Sequence, residues 1–204
     1  MDIEGSTKCF DQNETVKVVL LRHGETEGNV KGIVQGHWDT PLTAKGIEST
    51  LRKAKKIQDL DFDAVFCSDL SRTVETLKVI QEEVSGLPEP AYTPELREIN
   101  FGDLTGRPKQ ELMPTILKHK SELNLPYPKG ESGGGFTARV KSFFTALKRR
   151  FPGGRVLAIT HYGVMETAAK QFESPPSYDN IHIGADDVWL MCFAEDGSAI
   201  REVL

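Results

Sequence analysis

The chain has 204 residues, of which 38% are hydrophobic and 27% charged, with a formal net charge of −5 at pH 7. That length fits a single domain, large enough to bury about 70% of its unfolded surface without disulfide or metal staples. The acidic balance argues against a nucleic-acid or anionic-membrane surface, since both depend on basic patches, so any phosphate site must be a local basic pocket.

Residues 1–15 lack the basic start and apolar centre of a signal peptide, and a flexible tail is expected there, with one domain over 16–204. No 18-residue apolar stretch is present, so no membrane span is expected. Cys9, Cys67 and Cys192 have no motif spacing, and the last two sit in apolar runs where a thiol acts as a small hydrophobe. Reduced thiols in a cytoplasmic protein are expected.

The first element is a buried strand over 16–22 (Val16, Val18, Val19, Leu20, Leu21), which ends at Arg22-His23-Gly24-Glu25. His37 follows in a polar stretch that reads as surface, beside Trp38, which is either a substrate wall or a loop anchor. Thr43 is placed to cap a helix with apolar positions Ile47, Leu51, Ala54 and Ile57. Its basic run, Arg52, Lys53, Lys55 and Lys56, reads as a solvated face. Phe62 to Cys67 is the next strand. Ser68 or Asp69 then caps a helix burying Leu70, Val74, Leu77, Ile80 and Val84, which puts Arg72 in the first turn.

From Gly102 to Gly135 the chain is broken by Pro108, Pro114, Pro126, Pro128 and a Gly133-Gly134-Gly135 run. Only a short helix around Thr115 to Leu123 is expected, with a lid-like insertion over about 103–135 and His119 on its surface. Phe136, Val140, Phe143 and Leu147 form a helix stopped by Pro152-Gly153-Gly154. A strand over 155–160 leads to Thr160-His161 and a helix from Val164 to Phe172, and His182 follows as a further surface residue. Val188 to Phe193 and Ala199 to Leu204 form a hairpin through Asp196-Gly197. The fold class is α/β: three layers, α/β/α, with a mostly parallel sheet, helices on both faces, the C-terminal antiparallel hairpin and the lid-like insertion.

Two buried strands thus each deliver a histidine to a C-terminal end. In open α/β sheets ligands bind beyond those ends, so His23 and His161 are expected to converge. Arg22 suggests the ligand: its guanidinium fork matches phosphate oxygens and would repel a metal beside His23. Arg72, at a helix N-terminus, makes sense beside an anion. A phosphate monoester carries about two negative charges at neutral pH, which Arg22, Arg72 and a protonated His161 would neutralise without a metal. A neutral imidazole is a competent nucleophile, a role assigned to His23, with its tautomer set by a backbone carbonyl. Glu98 is the expected proton donor to the leaving group, with Glu25, Glu95 and Glu131 as other carboxylates in motif regions.

Arg22-His23-Gly24-Glu25-Thr26 with Asn29, Pro41-Leu42-Thr43 with Gly46, Ser68-Asp69-Leu70-Ser71-Arg72-Thr73, Leu96-Arg97-Glu98-Ile99-Asn100-Phe101-Gly102, Gly130-Glu131-Ser132 and Thr160-His161 fall in one order. That ordered set resembles the histidine phosphatase superfamily, and within it the cofactor-dependent phosphoglycerate mutase-like branch. The resemblance also implies the nucleophile role of His23, and it adds Asn29 and the backbone N–H groups near Gln35-Gly36 as neutral donors to the phosphoryl oxygens. The chain departs from the family's pattern after the second histidine. Tyr162 stands where the family has glycine, offering a backbone N–H to the phosphoryl group while narrowing the pocket, and Glu166 stands where the family has arginine.

The function this points to is a metal-independent phosphatase that hydrolyses small phosphorylated metabolites through a phosphohistidine, with no cofactor. Phosphoglycerate mutase activity is the main alternative. A metal-dependent hydrolase using His23, His161 and Glu98, and a non-catalytic phosphoryl-binding protein, are weaker ones. A homodimer is kept open.

Overall fold

The computed structural model describes residues 15–174, 181–194 and 196–204. Six strands, β1 (Val16–Arg22), β2 (Ala64–Ser68), β3 (Pro90–Thr93), β4 (Arg155–Thr160), β5 (Val188–Phe193) and β6 (Ala199–Val203), form a sheet ordered β3-β2-β4-β1-β5-β6. The first four in that order run parallel, and β5 and β6 pair antiparallel. Helices α2 (Ala44–Ile57) and α3 (Ser71–Glu83) pack on one face, and α5 (Gly133–Arg150) and α6 (Tyr162–Phe172) on the other. Two further helices, α1 (Glu27–Val30) and α4 (Lys109–Ser121), lie in the connections.

The strands read as unbroken apolar runs because both faces are covered. Val18 and Leu20 of β1 join Phe143, Phe144 and Met165 on the α5–α6 side, whereas Val19 and Leu21 join Ala54, Ile57 and Ile80 on the α2–α3 side. This period-two division produces the expected three layers. It also builds the site. β4 inserts between β2 and β1 with Arg22 opposite Thr160, so the following residues, His23 and His161, leave the sheet side by side. The His23 N–H donates to the Thr160 carbonyl at 2.9 Å and ties the two ends together.

Several local expectations are corrected. β3 was not anticipated; it is a short edge strand beginning at Pro90, a position that tolerates a missing N–H donor. Neither Ser68 nor Asp69 caps α3; the Ser71 N–H is taken instead by the Asp39 carboxylate at 2.7 Å. Thr43 does cap α2, accepting from the Gly46 N–H, but the helix is turned from its expected face. Ile47 is 42% exposed, and Lys53 is fully buried although the basic run was expected to be solvated. The cause is Gly46: a Cβ there would lie 2.1 Å from the Glu25 carbonyl oxygen. That close approach turns Gly46, Thr50, Lys53, Ala54 and Ile57, spaced at helical period, inward.

The insertion also differs. α4 starts at Lys109 and continues through Pro114, and the three glycines form the first turn of α5, capped by Ser132. Leu112 and Ile116 of α4 pack with Val34, Leu104 and Tyr127 into a small core of their own. His119 is buried in it, stacked on Tyr127 at 4.1 Å between ring centroids, with Nδ1–H donating to the Leu125 carbonyl. The expected surface position of His119 is therefore wrong. Val34 exchanges backbone hydrogen bonds with Gly106 and Arg107, fastening the insertion to the loop after α1.

The expected N-terminal tail lies outside the described residues, except that Thr15 is buried and belongs to the folded part. Cys67 is a buried free thiol, whereas Cys192 is disulfide-bonded, which corrects the expectation of a reduced thiol there. Among the described residues no helix is long and apolar enough to cross a membrane.

Candidate active site

His23 is 7% exposed, and its Nδ1 lies 2.7 Å from the Gly24 carbonyl oxygen. A carbonyl only accepts, so Nδ1 carries the proton and Nε2 keeps its lone pair, as expected for the tautomer. Burial, with Arg72 and Arg22 nearby, holds the imidazole well below the usual histidine range and therefore neutral. The Gly24 N–H donates to Thr76, whose hydroxyl donates to the Arg72 carbonyl, so the loop after β1 is fastened to the first turn of α3.

Arg72 is 1% exposed and held on several sides. Nη1 donates to Asp39 at 2.6 Å and to the Trp38 carbonyl, while Nη2 donates to the Gly36 carbonyl at 2.7 Å and to His161 Nδ1 at 3.1 Å. A guanidinium only donates, so His161 Nδ1 accepts and its Nε2–H faces Ser68 Oγ at 2.9 Å. This His161 is a neutral imidazole, and burial beside Arg72 keeps its pKa well below the ordinary value. The expected protonated His161 is corrected for this state of the site. The rings of His23 and His161 are 5.2 Å apart. Among the described residues the buried Nε–H groups of Arg22 and Arg72 have no hydrogen-bond partner.

Glu98 reaches the same spot from the segment after β3. Its Oε1 accepts from the Ile99 N–H at 2.9 Å and its Oε2 from the Gly163 N–H at 3.1 Å, and its charge acts on both Arg22 and Arg72. Gly163 makes room for this approach: a Cβ there would lie 2.2 Å from Oε1 and the carboxylate would have to shift. The competing carboxylates are engaged elsewhere. Glu131 forms a two-point ion pair with Arg139, and Glu25 accepts from Thr43 and lies 3.6 Å from Lys45.

The remaining expected residues surround this centre in differing roles. Asn29 closes a reciprocal cap with Thr26 at the start of α1. Gln35 accepts from the Thr26 and Thr40 hydroxyls, which shapes the loop that presents the Gly36 carbonyl to Arg72. Tyr162 places its ring 5.6 Å from the Arg22 guanidinium and donates its hydroxyl to the Ile181 carbonyl, so it backs the arginine as well as beginning α6. Glu166 pairs with Lys170 and, at 3.6 Å, with Lys120 of α4, linking the insertion to α6. His37 is partly buried, donating from Nε2 to the Glu98 carbonyl, and Trp38 stays 47% exposed. Asp39, Ser68 and Lys53 were missed because each is a polar residue with a plain surface or capping reading in sequence. Among the described residues, no three His, Cys, Asp or Glu side chains converge as a metal cage.

The family model for the histidine phosphatase superfamily, branch 1, matches residues 18–203. The adenosylcobalamin/alpha-ribazole phosphatase of Escherichia coli K12 is 30% identical over 177 residues, covering 84% of this chain and 86% of that protein. The 2,3-bisphosphoglycerate-dependent phosphoglycerate mutase of Rhizobium etli is 32% identical over 178 residues, covering 81% of this chain and 84% of the mutase. Among solved structures, the alpha-ribazole phosphatase of Shigella flexneri matches with a TM-score of 0.72 at 28% identity, covering 92% of this chain and 95% of that one. Bacillus stearothermophilus YhfR matches with a TM-score of 0.78 at 26% identity, covering 92% and 96%. A family match that runs from β1 to β6 and takes in both strand-end histidines means that this chain belongs to the histidine phosphatase superfamily, branch 1.

Proposed function

We propose that the chain is a metal-independent phosphatase that hydrolyses small phosphorylated metabolites through a phosphohistidine on His23. The observation that carries this reading is the neutral His23, whose unprotonated Nε2 sits with two arginines that keep unused Nε–H donors. Arg22 and Arg72 neutralise the dianion and hold its oxygens. Nε2 then bonds to phosphorus as the ester P–O bond breaks, and Glu98 protonates the departing alkoxide. In the second step Glu98 takes a proton from water, the hydroxide displaces the imidazole, and inorganic phosphate leaves. The neutral His161 holds Arg72 in place by accepting from its Nη2.

The test follows phosphate release from an aryl phosphate, α-ribazole 5′-phosphate and 3-phosphoglycerate, with and without EDTA. The second and third substrates are chosen because relatives carry phosphatase and mutase names. Phosphate release that EDTA leaves unchanged is expected. Efficient isomerisation of 3-phosphoglycerate with catalytic 2,3-bisphosphoglycerate, and little free phosphate, would make the chain a mutase. Activity lost in EDTA and restored by Zn²⁺ would make it a metallohydrolase.

A further inference from the structure

Lys53 has no exposed surface, and its Nζ donates to the Arg22 carbonyl oxygen at 2.6 Å. Lysine is among the residues least often fully buried, so this placement calls for a reason. The bonded atom supplies one. The β1–β5 ladder ends at Leu21 opposite Val188, one residue before Arg22. Beyond it, the peptide unit joining Arg22 to His23 is held at both polar atoms: its carbonyl by Lys53 and its N–H by the Thr160 carbonyl. Rotation of that one unit would swing both side chains that face the phosphoryl group.

We propose that Lys53 is a positioning residue for phosphoryl transfer, pinning the Arg22–His23 peptide from beneath and adding a buried cation under the oxyanion site. The proposal rests on the phosphatase reading. The charged groups that face Lys53 are Arg22 from β1, Arg52 on its own helix, and Asp186 and Asp187 from the segment before β5; its charge also reaches His23. Burial is the largest influence and, with the two arginines, outweighs the aspartates and brings the ammonium down to about 7. The sign follows directly. Below that value Lys53 is charged and grips the carbonyl with a charge-assisted bond; above it the cation is lost and oxyanion binding weakens.

The experiment compares wild type, Lys53→Met and Lys53→Arg from pH 6 to 9 in three measurements. The first two are aryl-phosphate kinetics and calorimetric binding of tungstate, an anion that stays doubly charged over this range. The third is NMR titration of ¹³Cε-labelled lysines. In the wild type KM should rise and tungstate affinity fall, each roughly tenfold, as pH rises through about 7, the scale of one charge-assisted hydrogen bond. Lys53→Met should bind poorly and without that pH dependence, with kcat/KM down about 10- to 100-fold at pH 6. Lys53→Arg, charged throughout, should keep tight binding to pH 9. One wild-type lysine resonance should titrate near 7 and be missing from both variants. Wild-type binding and pH profile retained in Lys53→Met, or all wild-type lysines titrating in the ordinary range, overturns the proposal. Wild type that binds tungstate but releases no phosphate overturns the phosphatase reading instead, and the binding comparison still judges Lys53. If Lys53→Met does not fold, the Arg variant and the wild-type titration decide.

Discussion

The site depends on which nitrogen of each histidine carries its proton, and the neighbours decide that. Gly24 fixes His23 with Nε2 free, so His23→Ala removes the proposed nucleophile and should abolish turnover. Wild type quenched during turnover should yield a phosphoprotein that acid cleaves and base spares; an acid-stable adduct, or one persisting in His23→Ala, contradicts the assignment. Glu98 gives a subtler expectation. Gly163→Ala forces a Cβ against Oε1, so it should displace the carboxylate without altering its chemistry. Like Glu98→Gln, it should cost alkyl phosphates about 10²-fold and an aryl phosphate, whose leaving group departs without a proton, much less. Equal losses on both substrates would assign Glu98 a structural role. The proposed reacting residues were legible in sequence: His23 and His161 because they follow apolar strands, and Glu98 because it falls in a motif order. Their holders were not. Asp39 bonds Arg72 from 33 positions away and Ser68 faces His161 from 93, and no local pattern announces such pairs.

At the scale of elements, the strands and the helices on both faces were legible wherever one apolar period governed the segment. The errors came where another force prevailed. Edge strand β3 has little apolar signal because much of it faces solvent, and Gly46 turned α2 through a backbone contact that hydrophobic spacing does not encode. In the insertion, proline was read as a breaker, yet Pro114 lies inside α4 because burial of Leu112 and Ile116 outweighs one lost hydrogen bond. With its own small core, the insertion is expected to open before the sheet. Tyr127→Ala removes a ring packed between His119 and Phe101 and should cost about 3–5 kcal/mol, felt mainly in the insertion. Hydrogen exchange should show lost protection across α4 with the β1–β4 amides unchanged. Protection lost equally in the sheet would mean that the two cores unfold together.

For the molecule as a whole, the groups that make the site reactive also set its stability against pH. His23 and His161 are buried neutral with lowered pKa values, so the unfolded chain binds their protons first and stability falls as pH drops below 6.5. Lys53 is lowered from 10.5 to about 7, so between those values the unfolded chain holds the proton that the native state has released, and stability rises with pH. Cys67 acts oppositely: burial pushes its thiol from 9.0 to about 12, so above pH 9 the unfolded thiol ionises first and stability declines. Tyr127 and Tyr162, also raised by burial, extend that decline above 10. Thermal stability should therefore climb from pH 6 to about 9, level off where the Lys53 and Cys67 effects oppose each other, and fall above about 10, while substrate binding weakens over the climb as Lys53 loses its charge. The two optima should be separated, with the activity optimum on the acid side. Melting temperatures of wild type and Lys53→Met across pH 6–9 test this. The variant should gain most at pH 6, where the native wild type buries a charge, and should lose most of the rise above pH 7. A wild-type melting temperature that falls from pH 7 to 9, or a rise that Lys53→Met fully retains, would show that some other group governs the window.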